Sequence, residues 1–264
     1  MSFRVTDMDT FIQKLAVEAG SAVLKRFGKD GAHYTKSERI WDVVTKADLL
    51  SERIIISRIK KKLPEHGIIS EESGEFNKDA EYVWIIDPID GTLNFSNSIP
   101  MFGVMICLTR KGNVILSAVN LPATGELFFA KAGKGAYVNG KRIRCSQLKS
   151  LHNSSGCSTV ATGKNGKREE RFVKNILKLG ARQEIHLGSF GSCANECYVA
   201  AGRKDWTVSL AGKIWDFAPT YLILKEAGCK VTDTRGRPWK LGINEMVAAN
   251  PTLHKEVLKL TRNI

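Results

Sequence analysis

The chain has 264 residues, 43% of them hydrophobic, which suits one large globular unit or two small ones. No stretch approaches the roughly 18 apolar residues of a membrane span, and the N-terminus lacks the apolar segment of a signal peptide, so we expect a cytoplasmic protein with no membrane partner. The net charge is +13, but the basic residues form short, separate clusters. This pattern favours a generally basic surface, with nucleic-acid binding a less favoured possibility.

The first 90 residues contain two helical patterns and two short strand patterns. In chain order, we predict a helix over 7–27, a loop with some extended structure over 29–44, a helix over 45–63 that begins at Thr45, a strand that ends at Glu71, and a buried strand over 82–86 that leads into Asp87.

Residues 102–144 alternate in strand-like fashion and predict an antiparallel meander, with a hairpin turn at Asn139-Gly140. The pattern changes around 145–155. Beyond it we predict helices over 169–179, 192–202, 216–228 and 251–262, and short strands over 229–233 and 246–250. We therefore divide the chain into an α+β half over 1–150 and an α/β half over 151–264, which together form one compact unit.

The segment Asp87-Pro88-Ile89-Asp90-Gly91-Thr92 carries the strongest chemical signal. Two carboxylates this close repel each other unless cations neutralise them, and oxygen ligands suit Mg²⁺. Gly91 allows the backbone to approach a ligand closely, and Thr92 opens a helical turn whose N–H groups face an anion. Metal ions combined with amide donors are what phosphate hydrolysis requires.

Two acidic residues three positions apart also occur in solvated turns and helix caps, so the segment alone leaves that alternative open. Its context favours the metal site. Glu71 lies at the end of the preceding strand pattern, and Asp216 lies at the start of a predicted helix. Strand exits and helix starts are where α/β folds place their ligands.

Five segments resemble the inositol monophosphatase family, and the resemblance extends over essentially the whole chain. They are EES (71–73), WIIDPIDGTLNF (84–95), GAYVNGKRI (135–143), YVAAGRKD (198–205) and WDFAPTYLILKEAG (215–228). The resemblance implies a layered α-β-α-β-α sandwich of the inositol monophosphatase and fructose-1,6-bisphosphatase type. It also implies a homodimer, two or three Mg²⁺ ions in each active site and sensitivity to lithium.

The resemblance assigns roles by position. Glu71, Asp87 and the backbone carbonyl of Ile89 would hold one metal, and Asp87 would share a second with Asp90 and Asp216. Asp48 and Thr92 would orient the attacking water, and a third metal or its water shell would lie beside them, which makes Glu71, Asp48 and Thr92 the expected catalytic residues. The expected substrate-binding residues are Lys36, Asp90, Gly91, Thr92, Ser192, Cys193 and Asp216.

Two of these assignments keep an alternative. Lys36 corresponds to a family lysine near the phosphate entrance, but it could equally be a solvated loop lysine. Ser192 lies at a predicted helix start that lines the substrate pocket in the family, but helix capping alone would also explain it.

The expected reaction is direct attack on phosphorus by a water activated by metal, with no phosphoenzyme. No residue pattern requires a covalent nucleophile. Cys193 lacks the arginine of a cysteine-phosphatase loop, because Val199 stands at that position. The substrate would be a small anionic phosphomonoester.

Two departures from the family pattern bear on the substrate. Ser209 stands where enzymes specific for inositol phosphate carry a glutamate, and the Gly191-Ser192 pair lies one residue closer to Gly202 than usual. We favour inositol-1-phosphate and keep fructose-1,6-bisphosphate, histidinol phosphate and 3′-phosphoadenosine 5′-phosphate as alternatives. An alternative of another class is an RNA- or protein-binding module on the phosphatase fold, which the net charge would suit.

Overall fold

The computed structural model describes residues 5–39, 41–159 and 166–261. In chain order the described elements are α1 (Val5–Leu24), β1 (Tyr34–Thr35), β2 (Val43–Val44), α2 (Lys46–Lys62), β3 (Gly67–Ser70), β4 (Gly74–Phe76), β5 (Tyr82–Asp90), α3 (Thr92–Ser96), β6 (Gly103–Arg110), β7 (Asn113–Leu121), β8 (Glu126–Lys131), β9 (Gly135–Val138), β10 (Lys141–Ile143), β11 (Ser154–Thr159), α4 (Gly166–Ala181), β12 (Ile185–Gly188), α5 (Ala194–Ala200), β13 (Trp206–Ser209), α6 (Ile214–Glu226), β14 (Lys230–Thr232), β15 (Met246–Ala249) and α7 (His254–Thr261).

The strands form two main sheets and one short ribbon. The larger sheet has eight strands in the order β10-β9-β8-β7-β6-β5-β3-β4 and is antiparallel except between β3 and β5. The predicted meander is its β6 to β10 part. The smaller sheet has five strands in the order β12-β11-β13-β15-β14, with β11 parallel to both of its neighbours. Within the described residues, strands β1 and β2 pair only with each other.

Helices and sheets alternate in five layers, because each sheet is apolar on both faces. Helices α1 and α2 cover one face of the larger sheet, where Ile12 and Ile55 pack with Trp84. Helices α5 and α6 fill the space between the two sheets. Helices α4 and α7 cover the outer face of the smaller sheet, where Phe172 and Val257 pack with Val247. This arrangement confirms the predicted α-β-α-β-α sandwich.

Strand β13 shows how the smaller sheet divides its side chains between two layers. Trp206 and Val208 pack into the outer apolar cluster. Thr207 and Ser209 point the other way, because successive side chains of a strand face opposite sides, and their hydroxyls reach α5 in the middle layer. Two hydroxyl groups therefore lie beneath α5.

The predicted elements are present, and some of their ends differ. The last helix begins at His254 and not at Pro251, because the Asn250 side chain accepts the backbone N–H groups of Thr252 and Leu253 at 3.0 and 3.1 Å and holds these residues in a turn. The Asn139-Gly140 hairpin turn is confirmed, with φ angles of 47° and 76°. No helix in the described part of the chain has the length and apolar character that crossing a bilayer requires.

Gly156 on β11 provides a test of the packing between β11 and β13. Its partner in the ladder is Trp206, and a Cβ at Gly156 would lie 2.0 Å from the indole ring. We expect Gly156→Ala to lower the free energy of unfolding in urea by about 1–3 kcal/mol, the usual range for overpacking.

The matched control is Gly180→Ala in α4, where an added Cβ would have no atom within 4 Å. This change should leave stability unchanged or raise it by up to about 1 kcal/mol, because alanine favours helix over glycine. Equal stability of Gly156→Ala and the wild type would contradict the packing described here.

Candidate active site

Strand β5 delivers two carboxylates to one end of the larger sheet. It runs to Asp90, so the predicted end at residue 86 is wrong. The strand continues past Pro88 because the ladder to β6 shifts register there: Asp87 lies opposite Met105, whereas Asp90 lies opposite Gly103. Proline cannot donate a ladder hydrogen bond, and such an irregularity re-aims the neighbouring side chains.

Gly91 connects β5 to α3 in a conformation that requires glycine. Its φ is +83°, and a Cβ would lie 2.9 Å from both the carbonyl oxygen of Met101 and the Cβ of Ser192. The chain therefore turns tightly around Gly91 and enters a helical turn at Thr92, as the sequence predicted.

Three aspartates converge beside this turn. Asp87 and Asp90 come from β5 and Asp216 from the first turn of α6, and one oxygen from each lies within 4.8 Å of the others. We call these residues the aspartate cluster. The backbone N–H of Cys193 donates to Asp90, and that of Lys213 donates to Asp216 at 2.6 Å. Asp216 is therefore a helix-capping residue and also a member of the cluster.

Burial raises the free energy of the ionised carboxylates in the cluster. Burial is therefore the main reason why the pKa values of Asp90 and Asp216 rise to about 7 and why the pKa of Asp87 lies well above its usual range. The neighbouring negative charges add to the effect; the charge of Glu71 raises the pKa of Asp87 further. A divalent cation among these oxygens would reverse this balance and favour ionised carboxylates.

The donor set fits a hard divalent cation. All the groups that converge in the aspartate cluster are carboxylate oxygens, which Mg²⁺ and similar ions prefer. Asp87 Oδ1 is buried and has no hydrogen-bond partner among the described residues. Buried polar atoms are rarely left unpaired, so an unpaired carboxylate oxygen facing two other carboxylates is consistent with a cation ligand.

Glu71 lies near the aspartate cluster but outside the group of three. Lys36 is an exposed loop residue, but its Nζ lies 2.6 Å from Oε1 of Glu71 and 2.6 Å from Oε1 of Glu72, so it is ion-paired. Burial alone lowers the pKa of Lys36, but the two carboxylates outweigh it and raise the pKa. Burial also raises the pKa of Glu72 to about 7.

Asp48 and Thr92 meet on the other side of the turn. Asp48 completes a capping box with Thr45 at the start of α2, and its Oδ1 lies 3.1 Å from Thr92 Oγ1. The same hydroxyl donates to the carbonyl of Ile89 at 2.7 Å. Burial raises the pKa of Asp48 to about 6. The structure thus brings Asp48, Thr92 and the Ile89 carbonyl together in one hydrogen-bonded group.

A pocket of about 90 Å³ opens beside the aspartate cluster. Its described lining consists of Asp90, Thr159, Gly191, Ser192, Cys193, Glu196, Ser209, Ala211, Asp216 and Phe217. Ser192 and Cys193 line it as expected for substrate-pocket residues. Ser192 Oγ also accepts the N–H of Ala194 at 3.3 Å, but the N-cap of α5 is Cys193, so Ser192 precedes the cap.

The sequence alone gave no role to Glu196, which lines the same pocket. Only 6% of this residue is exposed, and its Oε1 accepts the hydroxyls of Thr207 and Ser209, each at 3.1 Å. Burial raises its pKa to about 7. One feature of the sequence could have indicated this role: Glu196 is an acidic residue in a predicted helix of mostly small and apolar residues (SCANECYVAA), one helical turn after Ser192.

The aspartate cluster predicts a response to Mg²⁺ that does not depend on any reaction. Mg²⁺ should raise the melting temperature of the wild type, because an ion that binds only the folded state stabilises it. Asp90→Asn should lose most of this rise. Without added metal, the same variant should melt at least as high as the wild type, because one repelling charge is removed.

The control for this measurement is Asp79→Asn, at an exposed position outside the cluster. It should keep the wild-type response to Mg²⁺ in differential scanning calorimetry. An undiminished Mg²⁺ response in Asp90→Asn would show that the cluster does not bind the ion.

Comparison with known proteins places the chain in a family. The sequence model of the inositol monophosphatase family matches residues 4–264. The chain is 34% identical over 257 residues to a Thermotoga maritima protein named fructose-1,6-bisphosphatase/inositol-1-monophosphatase, covering 96% of this chain and 95% of the relative. It is 37% identical over 251 residues to the Nus factor SuhB of Vibrio cholerae, covering 94% of this chain and 93% of that protein.

Solved structures give the same result. The extragenic suppressor protein SuhB of Bartonella henselae superposes with a TM-score of 0.89 at 28% identity, covering 98% of this chain and 99% of that one. The Thermotoga maritima inositol monophosphatase superposes with a TM-score of 0.87 at 33% identity, covering 97% and 96% of the two chains. The family is metal-dependent, in keeping with the aspartate cluster. The chain therefore belongs to the inositol monophosphatase family.

Proposed function

We propose that the protein is a Mg²⁺-dependent phosphatase that hydrolyses a small phosphomonoester, with inositol-1-phosphate as the favoured substrate. The observation that carries the proposal is the aspartate cluster, in which three buried carboxylates adjoin a small pocket. Buried carboxylates this close together raise the free energy of the folded state unless cations bind them. Metal ions beside a small polar pocket are the arrangement that phosphate hydrolysis uses. Membership of the family supports the same conclusion.

In this proposal, Asp87, Asp90 and Asp216 hold the metal ions, with Glu71 and the Ile89 carbonyl as further ligands. When bound, Mg²⁺ would supply positive charge to the phosphoryl oxygens and lower the pKa of an attacking water. Lys36 would hold Glu71 in place through its ion pair. The backbone N–H groups of Gly91 and Thr92 would donate to the phosphate.

Asp48 and Thr92 would position the attacking water. Thr92 Oγ1 donates to the Ile89 carbonyl, so the hydroxyl oxygen keeps a lone pair for a water proton. The same hydroxyl can instead donate to Asp48 Oδ1 at 3.1 Å, and in that arrangement Asp48 would take the hydroxyl proton while the Thr92 oxygen takes the proton that the water loses. Ser192 and Cys193 would contact the alcohol part of the substrate.

The substrate choice rests on overall similarity to the family. Fructose-1,6-bisphosphate remains an alternative, and a relative whose name includes that activity supports it. Histidinol phosphate and 3′-phosphoadenosine 5′-phosphate are further alternatives. From the family resemblance we also expect the protein to form a homodimer and to be inhibited by lithium.

A second candidate function is binding to RNA or another protein on the same fold. Two observations favour it: the net charge of +13, and the existence of relatives that are named Nus factor SuhB. The two functions could coexist on different surfaces.

The deciding experiment measures phosphate release with Mg²⁺ from the four candidate substrates, with the wild type and Asp90→Asn. We expect the wild type to turn over one substrate well. Asp90→Asn should be slower by about 100-fold or more, because it removes a metal-binding charge in a buried site. Asp79→Asn should match the wild type.

Two outcomes would contradict the proposal. Equal rates for the wild type and Asp90→Asn would remove the aspartate cluster from the reaction. No phosphate release by the wild type from any of the four would favour the binding function. That function would then be tested by titrating random RNA at increasing salt, where phosphate contacts predict a steep loss of affinity.

A further inference from the structure

The pocket beside the aspartate cluster contains a buried carboxylate that the proposed reaction does not use. Glu196 on α5 lines this pocket together with Asp90 and Asp216, and its side chain accepts hydrogen bonds from the hydroxyls of β13. A phosphate held at the cluster and at the Gly91 turn would leave the rest of the pocket, which Glu196 lines, to its alcohol group.

The hydrogen bonds of Glu196 leave part of its acceptor capacity free. An ionised carboxylate offers about four acceptor sites; the hydroxyls of Thr207 and Ser209 both donate to Oε1, and the backbone N–H of Glu196 also hydrogen-bonds to the carboxylate. None of the described residues that line the pocket is lysine, arginine or histidine. A buried carboxylate with no cationic neighbour in its pocket needs further donors, and the pocket leaves room for a ligand to provide them.

The other groups in the pocket favour hydroxyl-bearing ligands. Thr159, Ser192 and Ser209 present hydroxyls, which both donate and accept. A ligand hydroxyl can donate to Glu196 and accept from one of these side chains at the same time. An alcohol without further hydroxyls would bury Glu196 with its remaining acceptor sites unpaired, which is the situation that produces strong discrimination.

We propose that Glu196 is the specificity-determining residue of this pocket and accepts hydroxyl groups of the leaving alcohol, so that the substrate is the phosphate monoester of a polyol. The inference rests on the proposed phosphatase function and narrows its substrate class. It also gives Ser209 a role. Ser209 stands at the position of the family's glutamate, and its hydroxyl donates to Glu196, so the pocket still contains a carboxylate, supplied by α5.

The test compares two phosphate esters, inositol-1-phosphate and 4-nitrophenyl phosphate, whose leaving group carries no further hydroxyl. For Glu196→Leu, kcat/KM should fall about 10- to 100-fold for inositol-1-phosphate and stay within about twofold for the aryl ester. Glu196→Gln should recover part of the loss, because its amide oxygen can still accept a hydroxyl. Glu75→Gln, at an exposed position, should match the wild type for both esters.

Calorimetric titration with Mg²⁺ separates this role from metal binding. The Mg²⁺ affinity of Glu196→Gln should stay within about twofold of the wild type, and a larger loss would make Glu196 a metal ligand and overturn the proposal. Equal losses for the two esters in Glu196→Leu, or no loss for either, would overturn it as well.

A different substrate class would also show itself. If the wild type preferred histidinol phosphate and only that preference disappeared in Glu196→Leu, the carboxylate would recognise a cationic group and the polyol assignment would be wrong. Hydrolysis of none of these esters by the wild type would overturn the phosphatase function itself, and this outcome is distinct from loss of selectivity between working substrates.

Discussion

Repulsion among three buried carboxylates is the constraint on which the rest of this structure depends. Asp87, Asp90 and Asp216 lie within reach of a single ion, and burial makes their negative charge far more costly than it would be in water. The surrounding structure holds them together in spite of this cost. The proline-containing irregularity in β5 aims two of them, and the first turn of α6 supplies the third.

Part of the cost is offset by backbone donors that already point at the carboxylates. The N–H groups of Cys193 and Lys213 each donate to one aspartate, and Lys36 neutralises the nearby Glu71. These contacts fix the geometry of the cluster but do not balance its negative charge. The remaining negative charge favours the binding of a cation. Glu196 extends the same principle to the neighbouring pocket, where hydroxyl donors from β13 hold a further buried carboxylate.

The sequence predicted the parts of the site that are local in the chain. Asp87, Asp90 and Gly91 stand in one six-residue segment, so their spacing was informative without tertiary structure. The Lys36 ion pairs and the pocket position of Glu196 could not be predicted in this way. The Lys36 ion pairs depend on how the loop after β1 folds against the end of β3. The position of Glu196 depends on the packing of α5 over β13. The extension of β5 beyond residue 86 was missed because proline usually ends a strand.

The most direct test of the central claim is anomalous X-ray diffraction from crystals grown with Mn²⁺, a hard divalent ion that takes the same oxygen ligands as Mg²⁺. We predict at least one strong anomalous peak in contact with Asp87, Asp90 and Asp216, and a weakened or absent peak in Asp90→Asn crystals. No peak at the cluster at millimolar Mn²⁺, with the three carboxylates still converging, would show that their repulsion is tolerated without a cation and would contradict the account.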